Sequence, residues 1–172
     1  MTVPHYRAPK LLRAGELRTS QERNWPQVRV FCGSPCSGKS TIVRNQAVPG
    51  DLVVEFDRLA QALTPSDTHD HGLHPEVKTF VFSAHNAVLK RLRFSSGVER
   101  AWLTALAPTN EQRARYLIGP DARMTILTVD PAIAHQRAKD DGRPSNWHDL
   151  IDDYFVRFEE PDDPRIEIRV DF

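Results

Sequence analysis

Apolar residues along this chain fall into short runs that are separated by polar or amphipathic segments. Five of these runs have the length and composition of β-strands. They occupy residues 28–32, 52–56, 100–106, 124–129 and 166–170. The first run is short and is followed by Gly33, and the last alternates apolar and polar residues. The pattern therefore predicts five strands spread over most of the chain.

Helices are predicted between these strands, over residues 40–46, 58–63, 76–94, 109–117, 133–138 and 150–158. Thr109 and Gln112 have the spacing of a capping box at the start of one of them. The longest helix has an expected apolar face, formed by Val77, Phe80, Val81, Ala84, Ala87, Val88 and Leu92. Because strands alternate with helices throughout, we predict an α/β fold of parallel βαβ units with helices on both faces of the sheet.

The length of 172 residues suits one domain with a substantial core. Residues 1–25 lack clear periodicity and are predicted to form an arm packed on a domain of residues 26–172. The N-terminus lacks the charged segment followed by an apolar segment that is typical of a secretory signal. No apolar stretch approaches the ~20 residues of a membrane span. With only two cysteines, Cys32 and Cys36, the chain is expected to be cytoplasmic and to keep its thiols reduced.

The charge balance narrows the possible functions. The chain has 23 basic and 23 acidic residues and a formal net charge of zero. A protein whose main task is to hold long nucleic acid needs a basic surface to contact the phosphates. That class of function is therefore disfavoured.

A glycine-rich motif connects the first predicted strand to the first predicted helix. It reads Gly33-Ser34-Pro35-Cys36-Ser37-Gly38-Lys39-Ser40. A strand, this loop and a helix in that order are the context in which the pattern binds nucleotide phosphates. The two glycines permit backbone angles and a close approach that a Cβ atom would block. We expect the amide groups of residues 34–40 to face phosphate oxygens at the positive end of the helix.

The side chains of this loop have separate expected roles. Lys39 is placed to bridge the β- and γ-phosphates, and the hydroxyl of Ser40 to bind Mg²⁺. Thr41 is expected to contact the α-phosphate, whereas Cys36 at the apex is a neutral spacer. The motif therefore predicts a site for ATP with Mg²⁺; the alternative is a glycine-rich turn with an exposed lysine.

Asp57 stands at the carboxyl end of the second predicted strand, where ligands bind in parallel α/β sheets. A carboxylate at that position can face the γ-phosphate and accept a proton from an attacking hydroxyl group. Alternatively, Asp57 caps the helix predicted at residues 58–63, and one residue could serve both roles. The strand at residues 100–106 has no acid at its end, which favours a kinase over a hydrolysing ATPase.

A charged segment around Gly142 predicts a lid near residues 137–146. Such a lid would close over ATP and bring Arg137 and Arg143 to the transferred phosphoryl group. Arg137 could instead be a helix-terminal charge that the helix dipole favours, and Arg143 a solvated loop charge.

Three histidines and an aspartate occur close together at His69, Asp70, His71 and His74. Their spacing matches no standard zinc pattern, so a polar loop near the acceptor entrance is preferred to a metal site.

Two parts of the chain, residues 30–63 and 126–155, resemble the kinase domain of phage-type polynucleotide kinase, and the resemblance as a whole covers roughly residues 28–158. The first contains the phosphate loop followed by Val54-Glu55-Phe56-Asp57-Arg58-Leu59, and the second contains the predicted lid. The wider group is the small P-loop kinases, which includes nucleotide, gluconate and zeta-toxin kinases. The resemblance implies a five-stranded parallel sheet of the nucleotide-kinase type, ATP on the phosphate loop, Asp57 as the base, and lid arginines that grip the phosphates.

The chain departs from this family at positions that concern the acceptor. Phe56 precedes Asp57 and Ala60 stands three residues after it, where the family has arginines that hold the acceptor's phosphate. In the lid, Asp141 occupies a position that is basic in the family, which leaves Arg143 as the replacement. The ATP site is unaffected by these differences.

The sequence as a whole predicts a P-loop kinase that moves the γ-phosphoryl group of ATP to a hydroxyl group. The preferred acceptor is a polynucleotide 5′-hydroxyl or a nucleoside or nucleotide. A kinase for a sugar or a modified nucleotide is one alternative, and a nucleotide-binding regulatory module without transfer activity is another. An intact Asp57 together with a lid favours the kinases.

Overall fold

The computed structural model describes residues 25–64, 73–95 and 97–170. Within them lie five strands: β1 (Gln27–Gly33), β2 (Leu52–Val54), β3 (Arg100–Ala105), β4 (Arg123–Thr128) and β5 (Ile166–Val170). All five belong to one parallel sheet in the order β2-β3-β1-β4-β5. The predicted five-stranded parallel sheet is confirmed. The predicted arm, residues 1–25, lies almost entirely outside the described residues.

The helices in this part of the chain are α1 (Lys39–Gln46), α2 (Phe56–Leu63), α3 (Pro75–Leu92), α4 (Asn110–Ala114), α5 (Pro131–Asp140) and α6 (Asn146–Val156). The predicted capping box begins α4: Thr109 Oγ1 accepts from the amide of Gln112 at 3.3 Å, and Gln112 Oε1 accepts from the amide of Thr109 at 3.4 Å. None of the described helices is both long and apolar enough for a membrane crossing.

The centre of the sheet is buried on both faces. On β1, Val28, Val30 and Cys32 point into one core cluster, since side chains alternate along a strand. Phe31 points to the opposite face, where its ring stacks on that of Trp102 with centroids 6.2 Å apart. Cores on both faces explain why the central strands are nearly continuous apolar runs.

The topology determines where a ligand can bind. Strand β1 lies between β3 and β4, so the chain crosses from one side of β1 to the other after β3. In open parallel sheets, ligands bind beyond the carboxyl ends of the strands at such a switch point. The loop that follows β1, residues 34–38, is located there.

Strand β2 is shorter than predicted, and this changes the position of Asp57. The strand ends at Val54, Glu55 is the N-cap of α2, and Phe56 is already helical. Asp57 therefore lies in the first helical turn, and the prediction that it caps a helix at residues 58–63 is wrong. The physical reason is that Phe56 packs its ring on that of Phe82 in α3, with centroids 4.7 Å apart, instead of continuing the strand.

The buried face of α3 agrees with the predicted one at Val81 and Leu92 and differs from it elsewhere. Val81, His85, Leu89 and Leu92 are buried, whereas Phe80 is 68% exposed. Apolar residues occur on more than one side of this helix, so its sequence is compatible with more than one buried face. Contacts with the sheet and with α2 determine that the buried face is the one that includes the polar His85.

Candidate active site

The phosphate loop is shaped by close contact with the end of β4. Gly33 has a φ of 151°, and a Cβ atom added there would lie 2.5 Å from Leu127 O and 2.6 Å from Ser37 Oγ. Gly38, with φ of 94°, is the N-cap of α1 and makes no side-chain capping bond to it. The first amide groups of α1 thus face the loop without a side-chain cap, which suits an anion.

Lys39 folds back over this loop. Its Nζ donates to Ser34 O at 2.6 Å, to Gly33 O at 3.0 Å and to Ser37 Oγ at 3.3 Å. Burial lowers the pKa of Lys39 to about 8, against the opposing influence of nearby acidic groups. The ammonium group is therefore held over the loop by neutral oxygen atoms, which compensate its positive charge only in part.

Two arginines approach the apex of the loop from α5 and from the segment that follows it. Arg137 Nη1 donates to Cys36 O at 3.3 Å. Arg143 lies over the ring of Trp147 at 4.6 Å and 3.5 Å from Asp141 Oδ2. Burial raises the pKa of the Cys36 thiol, and Arg143 is the strongest nearby charge that opposes this rise. The structure thus brings Arg137 and Arg143 to the same loop as Lys39.

The remaining loop residues differ in exposure. Ser34, Pro35 and Ser37 are buried, and Ser34 Oγ has no hydrogen-bond partner among the described residues. Ser40 and Thr41 are exposed in the first turn of α1. Their hydroxyl groups are accessible to a ligand.

Two acidic residues lie at the start of α2. Asp57 is half-buried in the first turn, and Glu55 is only 6% exposed. Glu55 Oε2 lies 3.0 Å from Arg58 Nε, while Oε1 has no partner among the described residues. Asp57 and Glu55 both act to raise the pKa of Lys39, which places their charges near the ammonium group.

Glu55 was not recognised from the sequence. An acid at the end of the apolar run Leu52-Val53-Val54 is a signal that could have found it, because a charged residue there is either paired or functional. Because the strand was predicted to continue to Phe56, Glu55 was placed inside the strand and not at its end.

Other polar residues take structural positions. His74 is the N-cap of α3 and accepts from the amide of Glu76 at 3.3 Å, whereas His69, Asp70 and His71 lie outside the described residues. Asp130 caps α5 through a 2.7 Å bond from the amide of Ala132. Within the described ranges, no group of three or more potential ligands could hold a metal ion.

Comparison with known proteins was made by sequence and by structure. No protein-family model and no curated protein matches the chain. A gluconokinase from Sinorhizobium meliloti 1021 matches in structure with a TM-score of 0.57 and 19% identity, covering 85% of this chain and 83% of that one. A sugar kinase from Janibacter sp. HTCC2649 matches with a TM-score of 0.51 and 16% identity, covering 84% and 85%.

A chain in the structure of the Pnkp1/Rnl/Hen1 RNA repair complex matches with a TM-score of 0.58 and 13% identity. The match covers 80% of the present chain, which spans 45% of that longer one. At such low identities, a likeness establishes the fold alone. The chain has the P-loop kinase fold, as predicted, and the resemblance to polynucleotide kinase is one among several.

Proposed function

We propose that this protein is an ATP-dependent phosphotransferase that moves the γ-phosphoryl group to a hydroxyl acceptor. The observation that carries the proposal is the arrangement around the phosphate loop. Lys39 and Arg137 donate hydrogen bonds to the loop, the charge of Arg143 acts on the Cys36 thiol, and the charge of Asp57, in the first turn of α2, acts on Lys39. A triphosphate needs the cations, and transfer to a hydroxyl group needs the carboxylate.

ATP is proposed to bind with its phosphates in the loop. The residues concerned are Gly33, Ser34, Pro35, Cys36, Ser37, Gly38, Lys39, Ser40 and Thr41. The close approach of Gly33 to Leu127 O and the uncapped start of α1 support this assignment. Lys39 would exchange its bonds to loop carbonyls for bonds to phosphate oxygens.

Mg²⁺ is the metal expected with ATP, and the residues near the loop fit it. Mg²⁺ prefers oxygen ligands. The exposed hydroxyl of Ser40 is proposed as its ligand, and the unpartnered Oε1 of buried Glu55 is a further oxygen donor. When bound, the ion would neutralise charge on the β- and γ-phosphates.

In the proposed reaction, the acceptor oxygen forms a bond to the γ-phosphorus as the bond from that phosphorus to the β-phosphate oxygen breaks. The proton of the acceptor hydroxyl passes to the carboxylate of Asp57, and ADP leaves. Arg137 and Arg143, in a lid near residues 137–146, would stabilise the negative charge on the transferred group. Their positions beside Cys36 support this role.

The acceptor is proposed to be a polynucleotide 5′-hydroxyl or a nucleoside or nucleotide. The match to a chain of an RNA repair complex supports this choice. The matches to a gluconokinase and a sugar kinase support the second candidate, a small-molecule kinase. A nucleotide-binding module without transfer activity is the third candidate.

Replacement of Asp57 tests the proposal. Asp57→Asn keeps the size of the side chain and removes the proton acceptor. We expect it to bind ATP with Mg²⁺ almost normally, to melt within a few degrees of the wild type, and to lose transfer by about 10²-fold or more. Asp121→Asn, at an exposed position before β4, is the matched control. Retained transfer in Asp57→Asn would show that Asp57 is not the base of the reaction.

A further inference from the structure

An aromatic pair adjoins the proposed base. Phe56, the residue directly before Asp57, lies with its ring 4.7 Å from that of Phe82 in α3, at an interplanar angle of 50°. Phe82 is 48% exposed, and Phe56 is partly exposed. Large apolar side chains at this exposure, next to a proposed catalytic carboxylate, offer a surface on which a flat ligand can stack.

The pair is fixed to the interior through two further rings. His85 is 5% exposed and contacts Phe56 at 6.5 Å in an edge-to-face arrangement. On its other side, His85 contacts Tyr116 at 6.0 Å. Because these rings are packed on the core, Phe56 has little freedom to move, and a platform that is already ordered binds at a low entropic cost.

Arg58, the cation next to Asp57, does not favour an acceptor phosphate. Arg58 is the one cation within three residues of Asp57 in the sequence. Its Nε lies 3.0 Å from Oε2 of the buried Glu55, so its charge is already balanced. Recognition at this point therefore depends on aromatic surface more than on positive charge.

We infer that the acceptor is a nucleoside-type compound whose flat base stacks on the exposed ring of Phe82, beside Phe56, with its hydroxyl group directed to Asp57. The base, not an acceptor phosphate, provides the recognition. This inference rests on the proposed function and names the substrate class of the same site. It distinguishes the chain from kinases whose acceptors are sugar acids, which carry no ring that could stack.

The test measures transfer of labelled phosphoryl from ATP to nucleosides, to nucleoside 3′-monophosphates and to gluconate. Stacking of one base on an aromatic side chain corresponds to roughly a 10-fold change in affinity. We expect Phe82→Leu to raise the KM for a nucleoside by about 10-fold while the KM for ATP stays constant, and Phe82→Tyr to restore the wild-type value. Phe94→Leu, at a 60% exposed position beyond the end of α3, is the control.

Several results would overturn the inference while leaving the kinase proposal intact. They are an unchanged nucleoside KM in Phe82→Leu, a strict need for the 3′-phosphate, and a preference for gluconate. If the wild type transfers label to no acceptor, the proposed function fails. In that case, ligand-observed NMR with adenosine and thymidine tests the stacking platform separately from transfer. Binding that is lost in Phe82→Leu supports the platform, and equal or absent binding in both proteins overturns it.

Discussion

Lys39 is the residue on which the proposed nucleotide site is expected to depend most. In the structure, its ammonium group donates to two carbonyl oxygens and one hydroxyl group of the loop that it spans. These are weaker partners than phosphate oxygens, because charge-assisted bonds to anions are shorter and stronger. A triphosphate is therefore expected to draw the side chain away from the loop carbonyls and to favour its charged form.

This exchange predicts proton uptake on ATP binding at alkaline pH. Burial lowers the pKa of Lys39 to about 8 in the free protein, and bound phosphates would raise it again. Above pH 8, ATP binding should therefore take up a proton, and the affinity should fall as the pH rises. Isothermal calorimetry near pH 9 in two buffers of different ionisation enthalpy measures the uptake.

In the Lys39→Arg control, the guanidinium group stays charged, so uptake from this position should disappear. Equal uptake in both proteins would contradict the assignment.

The same linkage applies to stability. Between about pH 8 and pH 10.5, the unfolded chain binds more protons at Lys39 than the folded chain does. This residue's contribution to the free energy of unfolding therefore rises with pH in that window.

At the scale of elements, α5 and α6 bring the proposed lid to the phosphate loop. Cys36 packs against a small cluster formed by Val129, Ala134, Ala138 and Ile151. Helix α5 ends at Asp140, two residues beyond its predicted end, and Arg137 lies in its last turn. The packing of these helices thus determines how far the two arginines are from the loop.

The lid proposal predicts that Arg137→Ala and Arg143→Ala lower kcat more than they raise the KM for ATP. Both groups would stabilise charge that develops during transfer, and loss of one such group typically costs about 10²-fold in rate. Steady-state kinetics with each variant measures the two constants separately. Arg157→Ala, at the exposed C-cap of α6 where the arginine pairs with Asp153, is the control. Unchanged kcat in both lid variants would identify these arginines as surface charges.

Much of the fold was predictable because the central strands are short apolar runs bounded by polar segments. The phosphate loop was predictable for the same reason, since a strand and a helix flank it. The start of α2 was not, because Phe56 continues the apolar run of β2 in sequence but packs on Phe82 of α3 in space. Contacts between distant segments are absent from a local pattern, so Glu55 and the buried positions His85 and Leu89 of α3 were missed.

At the scale of the whole molecule, Arg113 connects segments that are far apart in the sequence. It is fully buried, and its guanidinium group donates to Ala107 O, Pro108 O and Glu159 O. It also lies over the ring of Phe158, 4.9 Å from its centroid. From the sequence alone, an arginine on a short helix is predicted to be a surface charge. Only the carbonyl oxygens that converge on Arg113 in the structure explain its burial.

Arg113→Met is therefore expected to destabilise the fold. The substitution leaves buried carbonyl groups without donors, at a cost of about 3 kcal/mol or more. In a chain of this size, that cost lowers Tm by roughly 6–12 °C. Thermal denaturation measures the shift, with Arg115→Met on the exposed side of the same turn as the control. Equal melting temperatures for Arg113→Met and the wild type would show that the carbonyls find other donors.

The central claim is that the loop at residues 33–40 binds ATP for transfer to a hydroxyl group. The most direct measurement follows labelled γ-phosphoryl from ATP into a nucleoside acceptor and counts ADP, free phosphate and labelled acceptor together. The account predicts one labelled acceptor for each ADP, little free phosphate, and no transfer in Lys39→Met. Release of the label only as free phosphate, or unchanged transfer in Lys39→Met, would contradict it.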